Sequence, residues 1–338
     1  MNHVGMLFKD RHGYRDGFTI VELLIVIVVI AILATITLVA YNGIQNQAKS
    51  SSVQSTISNV VRKLEAARIS TTNTTGTYPA TLSGVSGLPA SDVELEYAYL
   101  PSQNYYCVDG ILDNISYHAS SLNSSVRPGP CPPLDGLVFW VPFAGSAKEF
   151  VTDGQPSGSS ALGVLTTGQT GVSEGAYELN GTNQYLNYGY SSGLTIGQPG
   201  LTMAAWVRPD TEGTTMSVIN RNGPYLLWLS GDRTMGPGLL QGSWYWSTSN
   251  DTVNLNQWSH IALTYDGSTQ RLYVNGQPSG VYTNLSGNID TRTSGIVIGR
   301  DTSSGGRLYF DGAIDDARLY GRALTASEVA GLYTAGAE

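Results

Sequence analysis

The sequence has few of the residues that build metal centres, redox centres and basic surfaces. Its 338 residues include two cysteines and four histidines, 13% are charged, and 18 Lys and Arg stand against 26 Asp and Glu. Two cysteines are too few for a four-cysteine zinc site, an iron–sulfur cluster or a disulfide-dense scaffold. The formal net charge of −8 argues against nucleic acid as a partner, because phosphate binding needs a positive surface.

Apolar residues make up 41% of the sequence, and they are unevenly distributed. Residues 18–41 read FTIVELLIVIVVIAILATITLVAY and contain one charge, Glu22. A helix of about 20 apolar residues crosses a bilayer core of about 30 Å, so this segment is predicted to span a membrane. Three basic residues precede it and the next one, Lys49, follows it, which predicts a cytoplasmic N-terminus and export of the remainder.

A carboxylate inside this span needs an explanation. Unpaired, it costs roughly 2.5–3.5 kcal/mol at the centre of a membrane helix, so Glu22 is predicted to be functional. An ordinary signal anchor or a secretory signal peptide is the alternative interpretation. No small-residue cleavage site follows the apolar block, which argues against a secretory signal.

The string GFTIVELL at 17–24 resembles the class III signal of type IV prepilins and type II secretion pseudopilins. The resemblance implies that prepilin peptidase cuts after Gly17, removing a leader of residues 1–17, and that Phe18 becomes the N-methylated terminus. It also implies that Glu22 pairs with the terminal amine of a neighbouring pilin subunit and sets the register of a filament. We therefore expect a single-pass precursor in the cytoplasmic membrane that becomes an extracellular filament on the cell surface.

The helical pattern continues beyond the membrane span. Apolar residues recur at steps of three and four from Ile44 to Ala67, which predicts a pilin helix over residues 18–70 with one face on a globular head. We expect that head at 71–131.

The two cysteines, Cys107 and Cys131, lie in the exported part, where disulfides persist. A bond between them would close the head, and two buried free thiols are the alternative. Residues 127–133 contain four prolines and are predicted to form a short, stiff linker.

Residues 132–338 contain short apolar or alternating segments separated by turn residues about every ten positions, a pattern typical of one β-sandwich. Thr325 and Glu328 predict a capped helix near its end. The segment resembles a laminin-G-like domain of the concanavalin A-like lectin/glucanase superfamily in LVFWVPF at 137–143, LTMAAWVRP at 201–209 and FDGAIDDARLYGRAL at 310–324. The predicted fold class is α+β: a long pilin helix and a small disulfide-closed β head, followed by an all-β jelly-roll sandwich.

The resemblance leaves the function of the sandwich open, because this fold hosts lectins, adhesins, pentraxins and glycosidases. Hydrolases of the superfamily carry Glu-x-Asp-x-x-Glu on one strand, and the sequence lacks that string, which disfavours a membrane-tethered glycan-active enzyme. Aromatic side chains stack on sugars, so the predicted ligand-binding residues are Trp244, Trp246, Tyr225 and Trp228. A core position is the alternative for each of them.

Laminin-G-like relatives often hold calcium with loop oxygens, which makes Asp153 and Asp315 candidate calcium ligands. The same carboxylates would also serve turns or ion pairs. Together, the two resemblances predict a non-enzymatic pilin-like subunit, a minor or tip pilin, that displays an adhesion module for an extracellular glycan or surface protein. The alternative is a type II secretion-like pseudopilin whose extra domain recognises exported substrate.

Overall fold

The computed structural model describes residues 19–70, 75–156, 163–190, 199–221, 223–291, 294–301 and 308–337. The chain divides into two compact units, Met1–Ser51 and Ser52–Glu338, each described here by itself. The predicted leader, including Gly17, and Phe18 lie outside the described residues.

The first unit contains the N-terminal part of helix α1, Ile20–Arg68. An 18-residue window of this helix has a mean hydropathy of 3.2, and none of that window is buried inside the protein. Apolar side chains cover the helix on all sides, which is typical of a segment that meets lipid or other helices. By length and composition the helix can cross a membrane, as the sequence predicts.

The head belongs to the second unit. The C-terminal part of α1 buries Val53, Ile57 and Leu64 against an antiparallel sheet of β1 (Glu94–Leu100), β2 (Tyr105–Leu112), β3 (Ile115–Ser120) and β4 (Arg127–Pro128). Strand β2 crosses the helix at Gly110, where an added Cβ would lie 2.9 Å from the Ile57 side chain. Glycine is needed there, because any larger residue would push the strand off the helix.

The sandwich follows in the same unit. Its strands are β5 (Leu137–Val141), β6 (Val164–Thr166), β7 (Ala176–Asn180), β8 (Leu186–Tyr188), β9 (Leu201–Pro209), β10 (Met216–Arg221), β11 (Tyr225–Leu229), β12 (Met235–Gln241), β13 (Ser243–Trp246), β14 (Ser259–Tyr265), β15 (Gln270–Val274), β16 (Gln277–Tyr282), β17 (Ile296–Ile298), β18 (Arg300–Asp301), β19 (Leu308–Tyr309) and β20 (Asp311–Tyr320). One helix, α2 (Ala326–Ala335), ends the described part of the chain.

Two sheets face each other across one core. Among the described strands, the front sheet has the order β13-β12-β11-β10-β17-β8, and the back sheet has the order β16-β15-β14-β9-β20-β7-β6, with β5 also paired to β20. Alternate residues of both sheets fill the space between them, for example Val207, Leu227 and Ile261. This layered all-β unit beside the long helix confirms the predicted α+β fold.

The outer face of the back sheet is covered. Helix α2 places Val329 and Leu332 on Ala204 and Ala262. The Thr325 hydroxyl accepts the Glu328 backbone N–H and the Glu328 carboxylate accepts the Thr325 N–H, as the sequence predicts.

The head also covers the back sheet. Trp140 of β5 is fully buried, and its ring centroid lies 5.2 Å from that of Tyr105 in the head. At residues 127–133, where the sequence predicts a short, stiff linker, the structure has a packed junction, with Arg127 and Pro128 paired to β3. Proline composition carries no information about this long-range packing.

Candidate functional site

Three tryptophans form a stack on the outer face of the front sheet. The ring centroid of Trp246 lies 4.7 Å from that of Trp228 and 4.7 Å from that of Trp244, with interplanar angles of 17° and 9°. Trp244 and Trp246 point outward from β13, while Tyr245 between them packs on the core. Because β13 is the edge strand, this tryptophan stack lies at a margin of the sheet.

Two glycines of β12 make room for the stack. Gly236 pairs with Trp228 and Gly238 pairs with Trp246 across the sheet. An added Cβ would lie 1.8 Å from Nε1 of Trp228 at the first position and 2.0 Å from Trp246 at the second. The indole rings therefore lean over β12 only because these positions have no side chain.

The stack presents an apolar, partly exposed surface. Trp246 is 45% exposed, and Trp228 and Trp244 are half-buried. Trp246 is stacked on two neighbours, so the ring faces open to a ligand belong chiefly to the outer members. Exposed indoles are well suited to sugar rings or to apolar groups of a protein surface.

Tyr225, the fourth predicted ligand-binding residue, faces the other way. Its side chain is fully buried in the core between the sheets, and burial raises the pKa of its phenol to about 12. The Arg221 guanidinium donates to its hydroxyl at 3.5 Å. Alternation along β11 explains this, because Trp228 lies three positions after Tyr225 and residues an odd number of positions apart face opposite sides of a strand.

A second aromatic group lies on the outer side of the front sheet, at β8. The Arg300 guanidinium carbon is 4.4 Å from the ring centroid of Tyr185 and 5.5 Å from that of Tyr309. Next to it, the Asn220 amide donates to the buried Asp301 carboxylate at 2.7 Å. The sequence analysis missed this group, because its members come from three separate strands or loops.

The two predicted calcium ligands lie in different surroundings. Asp153 forms an exposed ion pair with Lys148. Asp315 is buried, accepts the Gln169 backbone N–H at 2.9 Å on Oδ2, and has its pKa raised well above the usual range by burial and by neighbouring Asp316.

In the described part of the chain, no group of three or more His, Cys, Asp or Glu side chains is arranged to hold a metal ion. Calcium binding through Asp153 and Asp315 stays a prediction. A rise in melting temperature on adding calcium, lost in Asp153→Asn, would support it.

Glu22 caps its own helix in this structure. Its Oε2 accepts the Thr19 backbone N–H at 2.9 Å and the Thr19 hydroxyl at 2.8 Å, and the Glu22 N–H is donated to the Thr19 hydroxyl oxygen. This reciprocal pattern is a capping box, which fixes the carboxylate at the start of the span. The signal was present in the sequence as Thr-x-x-Glu. Pairing of Glu22 with a neighbour's amine stays a prediction.

The disulfide between Cys107 and Cys131 is present and closes the head, so free thiols are excluded. It joins β2 to the segment that leads into the sandwich. The Cys131 N–H is donated to the buried Asp109 carboxylate, and burial raises the pKa of that carboxyl to about 7.

Family comparisons match two separate parts of the chain. Residues 14–38 match the prokaryotic N-terminal methylation motif, and residues 180–330 match the concanavalin A-like lectin/glucanases superfamily. A comparison with curated protein sequences finds no match.

Several solved structures resemble part of the chain. Domain 4 of the arabinanase AbnA from Geobacillus stearothermophilus, solved with arabinotriose, is 20% identical, with 57% of this chain and 96% of that chain covered and a TM-score of 0.48. The binding domain of Paraclostridial Mosquitocidal Protein 1 is 18% identical, covering 59% and 52%, with a TM-score of 0.49. A pentraxin from Limulus polyphemus is 22% identical, covering 45% and 78%, with a TM-score of 0.36.

The methylation motif and the apolar helix are those of a pilin-type N-terminus. The second match shows that the same chain also contains a concanavalin A-like domain.

Proposed function

We propose that this protein is a minor or tip subunit of a type IV pilus-like filament, and that its sandwich binds an extracellular glycan or glycan-bearing surface protein. Prepilin peptidase cleaves it after Gly17 and methylates Phe18. The apolar helix then packs with its equivalents in other subunits, and the function is binding rather than catalysis.

The filament part of the proposal rests on the exposed apolar helix. Its large side chains from Ile20 to Tyr41 are about half exposed or more, so this surface needs either lipid or neighbouring helices. A C-terminal sandwich of about 200 residues adds bulk to each subunit, which favours a tip or sparse position over the tightly packed shaft.

The binding part rests on the tryptophan stack. Indoles that are this exposed to water are unfavourable. Aromatic residues on the outer face of the back sheet are instead covered by other parts of the protein. Two glycines are placed under the rings at positions where a side chain would displace them. The stack is therefore the observation that favours a ligand on the front face.

Glycan arrays probed with filaments carrying the full chain test the binding. We expect Trp244→Ala with Trp246→Ala to lose at least about tenfold in affinity for the retained glycan, since the change removes two indoles of the apolar surface on which a sugar ring would pack. Trp258→Ala is the matched control, because this indole packs with Arg208 away from the stack. Equal losses in both variants would contradict the assignment.

Filament assembly is tested in cells that produce filaments carrying the full chain. We expect Glu22→Ala to insert in the membrane but to be missing from sheared filaments. Normal secretion with no filament incorporation of the native chain would instead favour the pseudopilin alternative.

A further inference from the structure

In the aromatic group at β8, the guanidinium of Arg300 has no acidic partner among the described residues. Of the described arginines, Arg208, Arg271 and Arg322 each form ion pairs with carboxylates, and Arg318 pairs with Asp316. For Arg300 the described part of the chain provides only ring contacts, and its Nε is buried with no hydrogen-bond partner. Burial closes Nε to a ligand, but the described residues accept no hydrogen bond from Nη1 or Nη2, so these two donors are unused.

The two tyrosines fix the orientation of this guanidinium. Their ring centroids are 6.4 Å apart and both lie close to its carbon atom, so the three groups form a triangle. Rings contact the face of a guanidinium, whereas its N–H donors lie in its plane and point outward from its edge. The contacts therefore hold the cation in place and leave the hydrogen-bonding edge for another group.

The aromatic group at β8 lies on the front face of the sandwich. Tyr185 precedes core residue Leu186, so alternation places it on the outer side of β8. The Arg300 guanidinium carbon lies 4.4 Å from the centroid of this ring. The cation is thus on the same side of the sandwich as the tryptophan stack, at the opposite end of the front sheet.

We propose that Arg300, with Tyr185 and Tyr309, forms a subsite for a carboxylate-bearing sugar, either a uronic acid or a sialic acid. The guanidinium edge donates two parallel hydrogen bonds to the sugar carboxylate, and the tyrosines contact the apolar face of its ring. This inference rests on the proposed glycan-binding function and narrows the ligand to an acidic glycan. Since the chain carries a net charge of −8, general attraction of polyanions cannot produce such binding.

A pair of ligands isolates the carboxylate. Oligogalacturonate and its methyl ester differ only in charge and in the capacity to accept bidentate hydrogen bonds, and sialyllactose with lactose provides the same contrast for sialic acid. We expect the full chain in detergent micelles to bind one acidic member at least tenfold more tightly than its neutral partner. The acid that binds identifies the source of the carboxylate.

Variants of Arg300 then test whether this residue binds the sugar carboxylate. Arg300→Gln should lower affinity for the acidic sugar by about 10- to 100-fold, the range for a hydrogen bond to a charged group, and leave the neutral sugar unchanged. Arg300→Lys keeps the charge but loses the planar fork, so we expect partial rescue. Arg271→Gln, in the back sheet and paired with Asp266, is the matched control.

The outcomes separate the two proposals. Equal affinity for the acid and its ester, or no effect of Arg300→Gln in a protein of unchanged melting temperature, assigns Arg300 a purely structural role and overturns the subsite. Binding of neutral glycans through the tryptophan stack would then still stand. No binding of any glycan overturns both. The comparison of the acid with its ester uses the native chain, so it tests the carboxylate subsite even where a variant fails to fold.

Discussion

Aromatic and charged residues have different surroundings on the two outer faces of the sandwich. On the back face, Trp140 is fully buried, donates its Nε1–H to Asp316 at 2.6 Å, and lies 4.4 Å from the Arg318 guanidinium. On the front face, Trp246 is 45% exposed and Arg300 contacts only rings in the described part of the chain. The covered face holds this indole and guanidinium in internal contacts that serve stability, whereas the open face leaves rings and a guanidinium available to a ligand.

The largest effect is expected from replacing the tryptophan of the covered face. Trp140→Ala removes a buried indole at the junction of head and sandwich and takes the hydrogen bond from buried Asp316, so we expect a loss of about 3–5 kcal/mol in the free energy of unfolding. Chemical denaturation of the full chain in detergent measures it. Trp246→Ala, on the open face, is the control and should cost far less. Similar losses of unfolding free energy in the two variants would contradict the difference between the covered face and the open face.

Reduction of the disulfide is expected to have the next largest effect. Cys107 and Cys131 are 24 residues apart, and opening a loop of that length costs about 3.5 kcal/mol in the chain-entropy model. Denaturation with and without reductant measures the difference, and a double Cys→Ala variant should show no response to reductant. An unchanged midpoint in the native chain would show that the junction is held by packing alone.

Asp109 makes the same junction sensitive to pH. Burial raises its pKa from 3.8 to about 7, so the folded state binds a proton more tightly than the unfolded state. Stability from this group is present below pH about 4 and is lost as the pH rises to about 7. We expect the loss of unfolding free energy with rising pH to be about 1–2 kcal/mol smaller in Asp109→Asn than in the native chain. This value is set below the one to which the full pKa shift corresponds. Denaturation at pH 4–8 measures it, with exposed Asp92→Asn as control; parallel pH profiles would contradict the prediction.

The smallest effect on stability is expected at Gly238. Because Trp246 is partly exposed, Gly238→Ala can displace its ring at a cost of about 1 kcal/mol. The stacked indoles should give a coupled signal in the near-ultraviolet circular dichroism spectrum, which this variant should weaken together with glycan affinity. Gly189→Ala, with nothing within 4 Å of its added Cβ, should change neither. An intact signal in Gly238→Ala would mean that the stack does not depend on the glycine.

Local patterns and the two family resemblances were enough to predict the α+β fold, the apolar span, the Cys107–Cys131 bond and the common face of Trp244 and Trp246. They were insufficient wherever the answer depended on which strands meet. Only the register of the sheet shows that Gly236 and Gly238 lie under the indole rings of Trp228 and Trp246. The approach of Arg300 to Tyr185 and the packing of Trp140 on Tyr105 are likewise long-range contacts that no local period encodes.

The disulfide also determines how a pulling force crosses the molecule. Cys131 lies six residues before β5, and its partner Cys107 lies in β2, the strand that crosses α1 at Gly110. Tension applied to the sandwich therefore passes through a covalent bond directly into the strand packed on the helix. Residues 108–130 carry no load while that bond is intact, so a tethered sandwich can be pulled without extending this part of the head.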